Sequence, residues 1–180
     1  MTAIATTPSV RDAPPSSVLA TRLVRDAVDQ RTRIEVSRET TRRFRFDLAD
    51  GAIDIEVDGQ EPGWLYAILE SIQRLSSLPE DWDSYGGRPL TFEAAFRALE
   101  FLAGYLPSNS VPPSVVPGSD GGVQMEWHRC AGDLEIAFDH EGEISASFAS
   151  GAGDTEWEMS SQAINADALR GAIERVSGQL

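Results

Sequence analysis

Two stretches of the chain alternate between apolar and polar residues with the period of two that is typical of half-buried β-strands. The first runs from about residue 33 to residue 58, and the second from about residue 123 to residue 159. Turn-forming residues interrupt both stretches, which predicts two antiparallel meanders. The positions expected to face inward are Ile34, Val36, Phe44, Phe46, Leu48, Ile53, Ile55 and Val57 in the first, and Val123, Met125, Trp127, Leu134, Ile136, Phe138, Ile144, Ala146, Phe148, Thr155 and Trp157 in the second.

Four other stretches repeat apolar residues at the spacing of an amphipathic helix, at about 16–30, 61–78, 91–106 and 164–176. The first of these helices either packs on its own domain or docks on a partner, and the sequence leaves both roles open. The fold class is therefore α+β, with two antiparallel meanders packed with about four helices.

The chain divides into three parts by composition. Residues 1–15 contain three prolines among small polar residues and predict a disordered leader. Residues 16–60 hold the N-terminal helix and the three-stranded meander, and residues 61–180 hold a helix pair, the second meander and a C-terminal helix. We expect the last two parts to form one compact unit.

The turn in the first meander is predicted at Asp50-Gly51, because a two-residue type I′ turn favours such a pair. This turn would place Leu48 opposite Ile53, Phe46 opposite Ile55 and Phe44 opposite Val57, with all three pairs facing the core. The outer face would then pair Arg45 with Glu56 and Arg43 with Asp58.

The second meander presents a conflict of charge on its outer face. If residues 129–132 form a four-residue loop, His128 lies opposite Asp133 and Glu126 lies directly opposite Glu135. Two glutamates in this position repel each other unless something positive lies between them. Solvent alone, a basic partner or an internal arginine, and a metal ion are the three explanations that the sequence leaves open.

A rigid elbow, Leu78–Thr91, joins the second and third predicted helices. Pro79 and Pro89 bracket it, Gly86-Gly87 permits positive φ, and the Asp83 carboxylate is placed to accept hydrogen bonds from nearby amides. Its two aromatic residues are expected to be buried between the helices and a sheet. The positions predicted to hold the elbow on its sheet are Trp82, Asp83, Tyr85, Gly86, Pro89 and Trp127.

Charge narrows the range of partners. The net charge of -14 arises in residues 47–180, which carry 24 acidic side chains against six arginines, whereas residues 1–46 carry nine arginines against five acids. Such an acidic body repels phosphate backbones and anionic membranes and attracts basic proteins. Nucleic-acid binding through Arg38, Arg42, Arg43 and Arg45 is unlikely for this reason, and because the intervening phenylalanines are expected to point into the core.

Other features of the composition limit the possible chemistry and the expected cellular location. All 15 basic side chains are arginines, so no lysine amine is available for Schiff-base chemistry. The single cysteine, Cys130, rules out an intramolecular disulfide, and the start of the chain lacks the pattern of a signal peptide. No apolar run reaches membrane-spanning length. A cytoplasmic location is the resulting expectation.

Two motifs resemble a largely uncharacterised family of small bacterial proteins. Residues 82–89, Trp-Asp-Ser-Tyr-Gly-Gly-Arg-Pro, resemble its W-D-x-Y-G-x-x-P motif, and residues 120–127, Asp-Gly-Gly-Val-Gln-Met-Glu-Trp, resemble its D-G-G-x-x-x-E-W motif. Leu134-Glu135-Ile136 resembles a further L-E-I motif. The resemblance covers about residues 61–148, departs from the family where Gly87 stands for a small alanine, and implies no reaction.

The function predicted from these observations is non-enzymatic. An acidic face carrying Glu126, Glu135, Glu156 and Glu158 would bind a basic protein, and an accessory or neutralising role in a bacterial toxin or defence system fits such a module. No catalytic residue, metal ligand or cofactor is assigned, and the oligomeric state is not readable. The alternative is a metal-dependent hydrolase or nuclease that uses Glu126, Glu135 and an elbow aspartate, Asp81 or Asp83.

Overall fold

The computed structural model describes residues 41–48 and 50–178, which form an α+β fold with two antiparallel sheets and three α-helices. The α+β class is confirmed, but three described helices do not match the prediction of about four. The predicted helix at 16–30, the strand containing Ile34 and Val36, and the leader at 1–15 lie outside the described residues.

The elements follow the predicted order along the chain. A short 3₁₀ turn, Ser161–Ala163, precedes the last helix. The strands and helices are β1 (Thr41–Leu48), β2 (Gly51–Asp58), α1 (Leu65–Ser76), α2 (Phe92–Tyr105), β3 (Ser114–Pro117), β4 (Val123–Arg129), β5 (Gly132–Phe138), β6 (Ile144–Ser150), β7 (Glu156–Ser160) and α3 (Ala166–Ser177).

The register predicted for β1 and β2 is wrong by two residues. Leu48 lies opposite Gly51 rather than Ile53, and Phe46 lies opposite Ile53. Gly51, which the sequence places in the turn, is instead the first residue of β2. Asp50 remains in the turn, where its carboxylate accepts a hydrogen bond from the backbone N–H of Phe92 at the start of α2, at 2.9 Å. A shift of two residues keeps each side chain on its predicted face.

The arginines of β1 are paired with acids in this shifted register. Arg43 Nε lies 2.8 Å from Glu56, and Arg45 Nη1 lies 3.0 Å from Asp54, in place of the predicted Asp58 and Glu56. Arg42 Nε lies 2.6 Å from Glu61, beyond the end of β2. The three arginines described in this cluster are therefore neutralised locally, which weakens them as a phosphate-binding surface.

The second sheet has the order β3-β4-β5-β6-β7, and each strand is antiparallel to its neighbour. The predicted pairs Trp127–Leu134 and Glu126–Glu135 are confirmed. Because Arg129 itself pairs with Gly132, the reversal occurs within two residues. The edge strand expected at Val115-Val116 is β3.

All three helices pack against one face of this five-stranded sheet. Helix α1 contacts β3, and helices α2 and α3 both contact β4 and β5. The inward side chains of the sheet are buried with the apolar sides of the helices in one core that also includes β2. No described helix or strand covers the opposite face, whose side chains are exposed or half-buried.

Helix caps fix where α2 and α3 begin. The Thr91 hydroxyl accepts a hydrogen bond from Ala94 N, as the sequence predicts for a cap at this position. The Asn165 side chain accepts hydrogen bonds from Asp167 N and Ala168 N at the start of α3. Among the described residues, no helix combines the length and apolar character needed to cross a membrane.

Candidate functional site

The uncovered face of the five-stranded sheet carries its acidic side chains in two rows that cross the strands. The first row consists of Ser114, Glu126, Glu135, Ser147 and Glu158, one residue from each strand. The second row lies two residues away from the first on each strand, and it consists of His128, Asp133, Ala149 and Glu156. We call this surface the acidic face. Its four predicted glutamates lie on one surface because strand alternation places every second residue there.

Glu126 and Glu135 occupy different environments although they face each other. Glu126 is half-buried, its Oε1 accepts a hydrogen bond from Gln124 Nε2 at 2.9 Å, and its Oε2 lies 3.3 Å from His128 Nε2. Glu135 is exposed and accepts no hydrogen bond from the described residues. Thus Glu126 is held in place, while Glu135, opposite it on the neighbouring strand, faces solvent.

His128 is the positively ionisable group that the sequence interpretation missed. Its Nδ1 lies 3.0 Å from Asp133 Oδ1, and its Nε2 faces Glu126. Hydrogen bonds with Asp133 and then with Glu126 raise the pKa of His128 above 6.5, because both carboxylates favour the charged ring. The predicted register already contained the signal, since it placed His128 opposite Asp133 and two residues from Glu126 on the same face.

A shallow depression of about 160 Å³ lies on the acidic face beside Glu135. Its walls include Glu135 and Glu158, and its floor includes the short side chains of Ala137, Ser145 and Ser147. The depression exists because short side chains occupy the middle of the face, whereas glutamates stand on either side. Its size suits one or two side chains of a bound molecule.

The last strand of the sheet adds the remaining glutamates of the acidic face. Glu156 and Glu158 are both exposed on β7, and Trp157 between them is half-buried against Phe148. The predicted alternation is therefore confirmed within β7, but Thr155, which was expected to face inward, precedes the strand and is exposed. Neither glutamate accepts a hydrogen bond from a residue in the described ranges, so both carboxylates are free to meet a cation.

The elbow is closed by its own carboxylates, as the sequence predicts for Asp83. Asp83 Oδ1 accepts hydrogen bonds from Tyr85 N and Gly87 N, each at 2.8 Å. These two amides lower the pKa of Asp83 below 3.8, because they stabilise its charged form. Asp81 Oδ1 accepts from Gly86 N at 2.7 Å. Both elbow aspartates thus serve the local fold.

The expectation that both elbow aromatics are buried is wrong. Tyr85 is 95% exposed, and Trp82 is half-buried with its Nε1 donating to Arg88 O at 3.2 Å. The hydrogen bonds to the two aspartates close the turn, so it needs no aromatic packing around Tyr85. Positive φ occurs at Gly86 and at the non-glycine residues Asp81 and Ser84.

Gly87 is required for space rather than for positive φ. A Cβ atom at this position would lie 2.8 Å from both the Asp83 carboxyl carbon and Trp82 Nε1. The absence of a side chain lets the carboxylate and the indole close over the backbone. This contact gives a structural reason for glycine at this position.

Backbone contacts attach the elbow to the loop before β4. Arg88 N donates to Ser119 O and Thr91 N donates to Gly121 O, both at 2.9 Å. Gly121 has a φ of +92°, and a Cβ on it would lie 2.8 Å from Pro89 O. Trp127 is buried on the inward face of β4, where its Nε1 donates to Val111 O. Backbone hydrogen bonds therefore join the elbow to the loop before β4, whereas the indole N–H of Trp127 donates to a different segment.

The metal-dependent alternative requires Glu126, Glu135 and an elbow aspartate to bind one metal ion together. Within the described ranges, no group of three or more His, Cys, Asp or Glu side chains is placed to hold a metal ion. Glu126 is engaged by His128 and Gln124, and the elbow aspartates accept hydrogen bonds from their own loop. Cys130 is exposed in the tight turn after β4.

In comparisons with known proteins, the chain matches no family model, no curated protein and no solved structure. The resemblance based on the elbow and on the Asp120 to Trp127 motif therefore stays a prediction.

Proposed function

We propose that this protein is a non-enzymatic binding module whose acidic face holds a basic region of a protein partner. One observation carries the proposal: the three described helices all pack on one side of the five-stranded sheet, and the other side presents Glu126, Asp133, Glu135, Glu156 and Glu158. Among the outward-facing residues of β4 to β7, His128 is the only one that can carry a positive charge.

The contrast with the smaller sheet supports this assignment. On β1, Arg43 and Arg45 lie within 3.0 Å of acids on the neighbouring strand, so that surface is internally neutralised. On the acidic face, Glu135 and Glu158 have no arginine partner among the described residues. Unneutralised carboxylates on one surface create a field that attracts positively charged molecules and accelerates their association.

Arginine is the partner side chain that fits this geometry best. Its planar guanidinium donates in pairs and can hydrogen-bond two carboxylates at once. Placed near Glu135, it would relieve the cross-strand repulsion with Glu126, and the depression beside Glu135 and Glu158 gives room for its aliphatic part. The acidic charge that favours this partner disfavours a nucleic-acid backbone.

A short fluorescent peptide made only of arginine tests the proposal directly. The test compares the full chain with a variant that carries Gln at all four predicted glutamates of the acidic face. A matched control carries Gln at four exposed glutamates elsewhere and has the same net charge. The test set is Glu126, Glu135, Glu156 and Glu158, and the control set is Glu70, Glu80, Glu100 and Glu174.

We expect the unaltered chain and the control to bind the peptide at low salt, with affinity falling as salt screens the charges. The acidic-face variant should bind about tenfold more weakly or worse, since four charge contacts are lost together. Equal weakening in both variants would show that only net charge matters, and would refute a localised binding face.

The same variants then identify the natural partner. A basic protein that is recovered from the host lysate by the control, is lost at high salt and is lost with the acidic-face variant is the candidate. Its identity decides the predicted role beside a toxin or defence protein. Nuclease treatment of the lysate removes contacts bridged by nucleic acid.

A further inference from the structure

Both ring nitrogens of His128 lie against carboxylates. Nδ1 is 3.0 Å from Asp133 Oδ1 and Nε2 is 3.3 Å from Glu126 Oε2. A neutral imidazole carries one N–H, so it satisfies only one of these acceptors and turns a lone pair toward the other. The observed arrangement therefore fits the doubly protonated, positively charged ring.

Among the described residues, the surroundings of His128 contain acids and no second cation on the same face. Glu126 precedes it on β4, Asp133 lies opposite it on β5, and Glu135 lies on the diagonal. Strand β3 offers no partner at this level, because its first residue, Ser114, pairs with Glu126. Across Ala149, the second row ends in Glu156. Arg129 follows in sequence, but strand alternation assigns it to the opposite face.

We propose that His128 is a proton-dependent counter-ion of the acidic face, and that its imidazolium occupies the place between Glu126 and Asp133 that a partner's cation would take. This proposal depends on the binding function proposed above and adds its regulation. When the ring loses its proton, one carboxylate contact is lost and the net charge of the face becomes one unit more negative. Glu126 keeps its hydrogen bond from Gln124, so the site remains formed and becomes free for a cation.

Thermodynamic linkage gives the direction of the effect. Hydrogen bonds with Asp133 and then with Glu126 raise the pKa of His128 above its ordinary value of 6.5, so the ring keeps its proton to higher pH than a free imidazole does. A bound cation and the proton compete for the same carboxylates. Binding must therefore release a proton, and affinity must rise as pH rises through the pKa of His128.

Nuclear magnetic resonance of the full chain tests the titration without any partner. The sequence contains two histidines, so a His140→Gln variant assigns both ring signals. We expect the His128 pKa to lie above 6.5 in the unaltered chain and to fall in Asp133→Asn, which removes one charged acceptor. A pKa at or below the ordinary value, unchanged in Asp133→Asn, would overturn the proposal.

Binding of the arginine peptide from about pH 5.5 to pH 8.5 tests the coupling. The peptide is acetylated at its N-terminus, because its arginine side chains do not titrate in this range but a free α-amino group would. Affinity should rise about two- to fivefold across this range for the unaltered chain and for His140→Gln, a change typical of one exposed charge pair. His128→Gln should bind with no such rise. Calorimetry in buffers of different ionisation enthalpy should detect proton release only when His128 is present.

The outcomes separate the two proposals. Salt-sensitive binding that depends on the acidic face but is independent of pH, or that is equally pH-dependent in His128→Gln, overturns the role of His128 and leaves the binding function standing. Absence of face-dependent binding at every pH overturns both. Binding that weakens as pH rises contradicts the competition directly.

Discussion

Glu126 and Glu135 lie directly opposite each other on β4 and β5, on the side of the sheet that no described helix covers. His128 and Gln124 hold the first carboxylate, whereas the second faces solvent. Like charges in this position destabilise an isolated sheet. The pair therefore represents a local cost in stability that a bound cation would remove.

Glu135→Gln should increase the free energy of unfolding by about 0.5 kcal/mol at low salt, because it removes one member of the repelling pair. Urea denaturation of the two proteins measures the difference. Glu70→Gln, an exposed change on α1, makes the net charge less negative by the same one unit and serves as the control. Equal gains in both variants, or a Glu135 effect that persists at high salt, would show that local repulsion is absent.

The carboxylate of Asp50 joins the turn of the first hairpin to the start of α2. Asp50→Ala removes the acceptor of Phe92 N and should reduce stability by about 1 kcal/mol, as for the loss of a helix cap. Asp50→Asn, which keeps an oxygen acceptor, should lose less. Asp47→Ala, an exposed change in the same hairpin, is the control. Melting curves that do not differ between Asp50→Ala and Asp47→Ala would contradict this role.

Asp50 also shows where sequence reasoning about the fold stopped. Alternation correctly predicted which residues of β1 and β2 face the core, because burial is a property of every second residue. The register was predicted wrongly because Gly51 belongs to β2 and not to the turn. The Asp50 carboxylate contacts Phe92, 42 residues away, and no local turn rule contains such a contact. In the larger sheet the turn itself decided the register, and the predicted Glu126–Glu135 pair was correct.

The candidate site was also predictable only in part. The glutamates of the acidic face followed from alternation alone, whereas the ionic contacts of His128 depend on side-chain conformations that the pattern does not encode. In the elbow, the carboxylate of Asp83 acts on neighbouring amides and was predictable from local chemistry. The exposure of Tyr85 depends on what packs around the turn, which only the tertiary structure shows.

The two elbow aromatics should respond differently to truncation. Tyr85→Ala should change the free energy of unfolding by less than about 0.5 kcal/mol, because the side chain is almost entirely exposed. Trp82→Ala should lose about 1–2 kcal/mol, since it removes half-buried apolar surface and the hydrogen bond to Arg88 O. Thermal melting of both variants checks the contrast. A large loss with Tyr85→Ala would mean that Tyr85 is buried in solution.

The elbow also predicts a defined dependence of stability on pH. Because the folded pKa of Asp83 lies below 3.8, its carboxylate contributes stability that is fully present above the ordinary aspartate pKa and is lost as pH falls through the lower, folded value. Asp83→Asn keeps an oxygen acceptor but no charge, so it should melt at a lower temperature than the unaltered chain at neutral pH. The difference should shrink as the pH is lowered below 3.8. Glu80→Gln, an exposed neighbour in the elbow, should show neither effect. A difference between Asp83→Asn and the unaltered chain that stays constant across this range would show that the charge of Asp83 does not stabilise the turn.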